Sequence, residues 1–359
     1  MMEHAQWLLG GLLLAVALLV AWVCWMLPEW SRPGIYFAVT VEPAFRATLE
    51  ARRIFRGYRL QAMIHVAISL ALLFAGLEPK RWPALIVGEL WLVVGPLIAF
   101  LIGRERVMPH AAKPSLVREA LLAPRAAHLP GGWLLQLGPF AILAGTALYL
   151  RWHWEEIPER FPVHWGVDGR PNGWSMRTPA GVYTPLLLGA AIVAGMALLT
   201  YGLLRETRLV RAPGSGKAHL DLAHQAAYFL AGIEYFLATI LSAVALLPLT
   251  RNFGAGVVLI AAILLVLAIF PLAHRLNRAR TPYASVSENS PAPVAGDGTL
   301  DEHWRLGVLY FNPEDSALFV EKRFGIGYTL NFARGTSWFI LLMVLALPVA
   351  LAFAALWRH

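Results

Sequence analysis

The stretch Pro162-Val163-His164-Trp165-Gly166-Val167-Asp168-Gly169-Arg170-Pro171-Asn172-Gly173-Trp174 lies between two apolar segments, 133–150 and 182–204. Each flank is about long enough to cross the hydrocarbon core of a bilayer, and that decides the fold class. The stretch itself holds residue types that a mere connector does not need. Pro171 fixes φ, Asn172-Gly173 tolerates positive φ and Gly169 lets the chain reverse, so a defined turn is expected over Gly169–Trp174. Trp152, Trp154, Trp165 and Trp174 surround it, and tryptophan is the residue favoured at a membrane–water interface.

The rest of the chain agrees with its flanks. Of 359 residues 58% are hydrophobic and 14% charged, which is too apolar for an ordinary soluble protein. Eight candidate spans follow, at 7–27, 60–77, 84–103, 133–150, 182–204, 226–249, 255–274 and 337–356. The expected fold is an all-α integral membrane bundle of about eight transmembrane helices, with short interfacial elements in its loops. The first span does not read as a signal peptide, because Met1-Met2-Glu3-His4-Ala5-Gln6 lacks a basic leader and no clear cleavage site follows Leu27. Cys24 is the single cysteine, so an intramolecular disulfide and a cysteine-based metal cluster are excluded.

Charge orients the spans. Segments 28–59, 104–132, 205–225 and 275–336 hold 22 of the 30 Lys/Arg, and the alternate segments hold the other 8. Excess Lys/Arg marks the cytoplasmic side, which predicts extracytoplasmic termini, an outward loop at 151–181 and a multi-pass inner (plasma) membrane protein of a bacterium or archaeon. The counter-charge expected for the basic surface is anionic lipid headgroups; nucleic acid is not needed to explain it.

No repeat of 20–50 residues organises the chain. Residues 1–103 form a three-span region with a basic cytoplasmic loop. In that loop Tyr36–Val41 reads as strand-like, and Arg46–Arg59 as a basic amphipathic helix lying on headgroups, with Phe45, Leu49, Arg53, Arg56 and Leu60 at helical spacing. Residues 133–274 form a four-span region containing the outward loop. The Ser/Pro/Ala/Gly-rich stretch Thr281–Thr299 places a flexible linker at 275–302. A cytoplasmic interfacial domain is expected over 303–336, with Tyr310, Asn312, Asp315, Lys322, Arg323 and Asn331 as its marked residues, and the last transmembrane helix over 337–359.

Pro162-x-His164-Trp165 followed by Gly169-x-Pro171-Asn172-Gly173-Trp174, between two spans, resembles the domain of unknown function 1648 found in SdpI-like bacterial immunity proteins. The block Trp304–Phe332 resembles a second uncharacterised domain, number 5808, through Tyr310, Asn312-Pro313, Asp315, Val320, Lys322-Arg323, Gly325, Gly327 and Asn331-Phe332. The resemblance implies a multi-span inner-membrane protein that protects against a secreted antimicrobial peptide or signals its presence. A ligand site is then expected on the outward loop, at His164, Trp165, Asp168, Gly169, Pro171, Asn172, Gly173 and Trp174.

Two other chemistries stay open on the residues themselves. His153, Glu155, Glu156, Glu159, His164 and Asp168 are of types that bind zinc and activate water, as in a membrane-embedded metal-dependent enzyme. Their spacing matches no metal motif, and the two histidines stand eleven residues apart across two prolines, so no catalytic residue, metal or cofactor is expected. Ionisable residues inside spans are costly and mark functional positions. His65, Glu89 and Glu234 are the cases here; His65 and Glu234 fall at similar depth and are expected to be able to pair, as a lipid or small-solute transporter would require, while Glu89 reaches for the interface.

Overall fold

The structure, a computed structural model, describes residues 2–32, 34–114, 119–120, 131–165, 171–206, 209–210, 216–249, 296–325 and 327–342. Within them six helices are long and apolar enough to cross a membrane. They are α1 (Met2–Met26), α2 (Leu49–Ala75), α3 (Pro83–Val107), α4 (Gly132–Trp152), α5 (Pro179–Glu206) and α6 (Gly216–Leu246). Six of the eight expected spans are therefore found among the described residues. The expected span at 255–274 lies outside them, and of the one at 337–356 only the helical start through residue 342 is described.

Lipid is as apolar as leucine, so helices in a membrane hold together through close approach at small residues rather than through the hydrophobic effect. α2 packs on α1 and α3, while α4, α5 and α6 pack on one another. A Cβ at Gly95 of α3 would come within 2.5 Å of the His65 Cβ on α2, and one at Gly189 of α5 within 3.0 Å of Leu143 on α4. Leu90, Val93, Leu187 and Leu198 remain exposed on the outer faces, as lipid contact requires.

The segment between α1 and α2 differs from the expected surface-lying helix. A hairpin of β1 (Ile35–Tyr36) and β2 (Val39–Thr40) is fully buried and organises a core of Phe37, Val39, Val41, Tyr58 and Phe100. Thr48 then caps α2 by accepting from the Ala51 N–H, so Arg52, Arg53, Arg56 and Arg59 belong to the first turns of the second span. Arg46 turns inward and donates to the carbonyls of Pro28, Ser31 and Arg32. Local carbonyls needing donors, not headgroups, captured the first cation of that run.

Further along, β3 (Glu119–Ala120) pairs with β6 (Leu209–Val210), and β4 (Arg160–Trp165) pairs with β5 (Pro171–Met176). The tail folds as two small hairpins, β7 (Trp304–Arg305) with β8 (Leu309–Tyr310) and β9 (Phe319–Glu321) with β10 (Tyr328–Leu330). Residues 296–302, which composition assigned to a flexible linker, are folded into it. Asp297 and Thr299 are buried, and the Gly296 N–H donates to the Gly34 carbonyl at 3.0 Å. Composition misses this because the partners that fix it to the rest of the protein, Gly34, Thr40 and Arg323, are remote in sequence.

Candidate functional site

The loop at 151–181 contains an antiparallel hairpin. Arg160 faces Met176 and Pro162 faces Trp174, with register shifts around His164, so the ladder is bulged at that residue. Asn172 and Gly173 do not form the expected turn: both are strand residues of β5, and Gly173 stands opposite His164. Residues 166–170, with Asp168 and Gly169, lie outside the described residues, as do the side chains of His164, Trp165 and Asn172. A glycine beside a bulge fits close cross-strand approach better than a turn.

Local contacts fix the hairpin to its helices. Arg177 ties its base down, bonding the Glu155 carboxylate at 2.9 Å and the carbonyls of Trp154 and Glu155. The Arg160 guanidinium covers the Trp174 ring at 4.8 Å, and Trp154 stacks on Tyr183 of α5. A Cβ at Gly181 would meet the Met176 carbonyl at 2.1 Å, so only glycine lets β5 run this closely into α5. Val163, Trp174 and Met176 present apolar surface outward, and Pro171 is exposed as well. His153 does not reach toward this loop's carboxylates; it stacks on Tyr149 and bonds that residue's carbonyl. Among the described residues no three His, Cys, Asp or Glu side chains converge as metal ligands.

Inside the bundle the two marked ionisable residues stay apart. His65 of α2 packs edge-on against Trp91 of α3, and its Nδ1 has no hydrogen-bond partner. Glu234 of α6 is 1% exposed and neither carboxylate oxygen has a partner. The expected His65–Glu234 pair is not formed, because each residue belongs to a different packed group of helices. Glu89 is exposed near the start of α3. Sequence reading missed the neutral polar residues: Gln136 of α4 is 4% exposed with both amide atoms unpartnered, and Thr200 of α5 is fully buried with its hydroxyl unpartnered. A lone Gln in an apolar span is a weaker signal than a charge, but it was there to see.

The marked residues of the tail are mostly its frame. The Tyr310 hydroxyl donates to Asp315 at 2.9 Å, and the Asn312 amide donates to the Tyr310 oxygen. The Asn331 carboxamide accepts from the Asn312 and Ala333 N–H groups and donates to the Asn312 and Asp315 carbonyls, so its capacity is filled. Lys322 is exposed. Arg323 is different, because it reaches beyond the tail. Its side chain is fully buried, binds Asp297 through Nε and Nη2 at 3.1 and 3.0 Å, binds Asp301, and donates to the Ala38 carbonyl at the tip of the first hairpin. Burial disfavours the charge on each member, yet their mutual attraction wins: Asp297 is held below its ordinary pKa and Arg323 above its own.

That hairpin tip carries strain. Phe37 and Ala38 have φ of 47° and 59°, the left-handed region usually left to Gly or Asn. Arg104 of α3 also donates to the Ala38 carbonyl, at 2.8 Å, and Gly307 of the tail packs so closely that a Cβ there would lie 2.8 Å from that of Ala38. Phe324 completes the contact by stacking on Phe100 and Phe37. On its other side the same β9–β10 hairpin touches the second group of helices, with Phe319 beside Gly202 of α5 and Tyr328 against Leu204 and Ala227. The tail therefore bridges α1–α3 and α4–α6 at one end of the bundle.

With that geometry in place the comparisons with known proteins are informative. Residues 141–189, which run from α4 through the hairpin into α5, match a domain of unknown function (DUF1648). The chain carries that domain. The DUF1648 region thus contains both strands of the hairpin together with the last part of α4 and the first part of α5. Residues 313–338 match a second family of unknown function (DUF5808), which covers β9, β10, Asp315 and Asn331. No curated protein and no solved structure matched the sequence. The chain is a multi-span membrane protein with a DUF1648 domain.

Proposed function

We propose that the protein is a non-enzymatic envelope receptor of the SdpI-like type, which takes a secreted antimicrobial peptide or other envelope factor at the β4–β5 hairpin. The observation that carries this reading is continuity: β5 ends at Met176, α5 begins at Pro179, and the far end of α5 meets the tail at Phe319. The distribution of Lys/Arg supports a reading with the hairpin outside and the tail in the cytoplasm of an inner membrane. A two-stranded sheet leaves an edge on each strand, and exposed Val163, Trp174 and Met176 supply apolar surface beside those edges, which suits an extended peptide adding to the sheet. Movement of the hairpin is then passed to the tail through α5, and the outcome is protection of the cell or a signal.

The test is protection in a susceptible host. Cells expressing the full chain are titrated with secreted membrane-active peptides, alongside a Val163→Asp/Met176→Asp variant expressed at the same level. The reading expects a raised inhibitory concentration for at least one peptide, lost in the variant. Protection unchanged in the variant overturns the hairpin as the site. Single cysteines in a Cys24→Ser background, at Val163 and Lys322, fix sidedness: labelling of position 322 but not 163 in intact cells overturns the topology.

A further inference from the structure

α4 and α6 close on each other at small residues, and that closeness determines what stands beside Glu234. A Cβ at Gly138 of α4 would fall 1.8 Å from the Tyr235 hydroxyl oxygen, so the Tyr235 ring lies across α4 at that level. Gln136 precedes Gly138 by two residues, and Glu234 precedes Tyr235 by one. A second contact gives the same register. Leu143 of α4 and Leu241 of α6 both approach Gly189 of α5, and about two helical turns back from each lie Gln136 and Glu234. The faces agree too. Gln136 shares the buried face of α4 with Pro139, Leu143 and Leu150, while Glu234 interrupts a buried row of Ala227, Ala231, Ala238 and Ala245 on α6.

The oxygen atoms in this layer are unused. Both Glu234 carboxylate oxygens and both polar atoms of the Gln136 amide lack hydrogen-bond partners. Pro139 has no N–H to return to the Leu135 carbonyl, so α4 offers a main-chain oxygen in the same turn. The unpartnered Thr200 hydroxyl on α5 follows about 6 Å nearer the tail end, by helix rise from the Gly189 contact. A carboxyl group left like this inside a membrane helix is a net cost to folding. Alanine would complete the row on α6 without that cost.

We propose that Glu234 and Gln136 form an intramembrane site, between α4 and α6, for a hard monovalent cation: a proton or an alkali-metal ion. Hard cations take oxygen ligands, and the set here is carboxylate, carboxamide oxygen and a freed main-chain carbonyl. The carboxamide also stabilises either state of the carboxyl, since its N–H donates to the anion and its oxygen accepts from the acid. Neighbouring charge does not compete. On α4 the titratable side chains are Tyr149 and Arg151 near the hairpin end. On α5 they are Tyr183 near that end and Tyr201, Arg205 and Glu206 near the tail. On α6 they are Lys217, His219, Asp221, His224, Tyr228 and Tyr235. Of these only Tyr235 stands in the Glu234 layer, and Arg205 is about 14 Å away along the bundle axis. The site is distinct from the hairpin and does not depend on what the hairpin binds.

The experiment uses the full chain in liposomes and a membrane-permeant carbodiimide, which adds to a protonated buried carboxyl to give a stable N-acylurea. Peptide mapping should find the adduct on Glu234, with a rate that falls about tenfold per pH unit above the apparent pKa of the site. Glu234→Gln should lack it, and Gln136→Leu should shift the pH profile while keeping the adduct. Sodium or potassium replacing choline at constant ionic strength separates the two cations: slowing of the reaction assigns an alkali-ion site, and no effect assigns a proton site. The pH-difference infrared spectrum in the same liposomes reads the carboxyl stretch without any reagent having to reach it. An infrared spectrum with no titrating carboxyl that Glu234→Gln removes overturns the proposal, as does an adduct rate independent of both pH and cation.

Discussion

Arg323 and Glu234 are both ionisable groups buried to the same degree, yet the chain treats them in opposite ways. Every side of the Arg323 guanidinium is met, by Asp297, Asp301, the Thr299 carbonyl and hydroxyl, and the Ala38 carbonyl. Neither oxygen of Glu234 is met by anything. Desolvating a charge is expensive in both places, and only a saturated set of partners recovers that expense within the fold. A saturated buried ion is therefore read as a fastening, and an unsaturated one as a position reserved for something that arrives from outside.

The comparison breaks most easily at the fastening. Arg323→Met leaves Asp297 buried without its counter-ion, and loss of one partner from a buried pair costs about 3–5 kcal/mol. The expected result is release of the tail from the first hairpin, seen as rapid proteolysis near residue 296 in detergent while the six spans stay helical by circular dichroism. A tail that remains protease-resistant would show that the cluster fastens nothing.

Acid should loosen the same contact more gently. The pKa of Asp297 is depressed in the folded state, so its contribution is full above the ordinary value of 3.8 and is lost as pH falls through the lower folded value. Tail docking should therefore be indifferent to pH around neutrality and weaken only in strong acid. Loss between neutral pH and 5 would point to a different titrating group.

Smaller effects sharpen the contrast. Ala38→Gly relieves a left-handed residue at the turn whose carbonyl serves both Arg104 and Arg323, and should stabilise the docked tail by about 1 kcal/mol. A lower melting temperature for this variant would mean the Ala38 Cβ contact with Gly307 outweighs the strain. Glu234→Gln should change stability least of all, leaving the melting temperature unchanged or slightly raised at neutral pH, because no partner is lost. A fall as large as that of Arg323→Met would end the distinction between the two residues.

Much of the frame was legible in the chain. Hydropathy located each of the six described helices, and the Pro/Gly pattern at 162–174 announced an ordered element, because both signals are local. What failed was whatever depends on distant partners. Asp301 meets Thr40 across 261 residues of sequence and Arg323 meets Ala38 across 285, so neither the burial of 296–302 nor the role of Arg323 could be read from composition. The Asn172-Gly173 pair misled for a related reason: its conformation is set by the bulged strand opposite, and strand pairing overrode turn propensity. Glu234 was conspicuous as a charge in a span, but its neighbour was misjudged, because helix order in space and not depth alone decides which residues meet.

The strained tip at Phe37 and Ala38 also fixes an order of events. Arg323, which donates to the Ala38 carbonyl, follows it by 285 residues, and Gly307 and Phe324, which cover the tip, are likewise made long after it. At ribosomal rates the delay is on the order of tens of seconds. For that interval the loop between α1 and α2 lacks these contacts, and a chain cut before Gly307 would never gain them. The junction therefore ties two distant stretches of translation together: only a chain made through Phe324 can close the loop between α1 and α2.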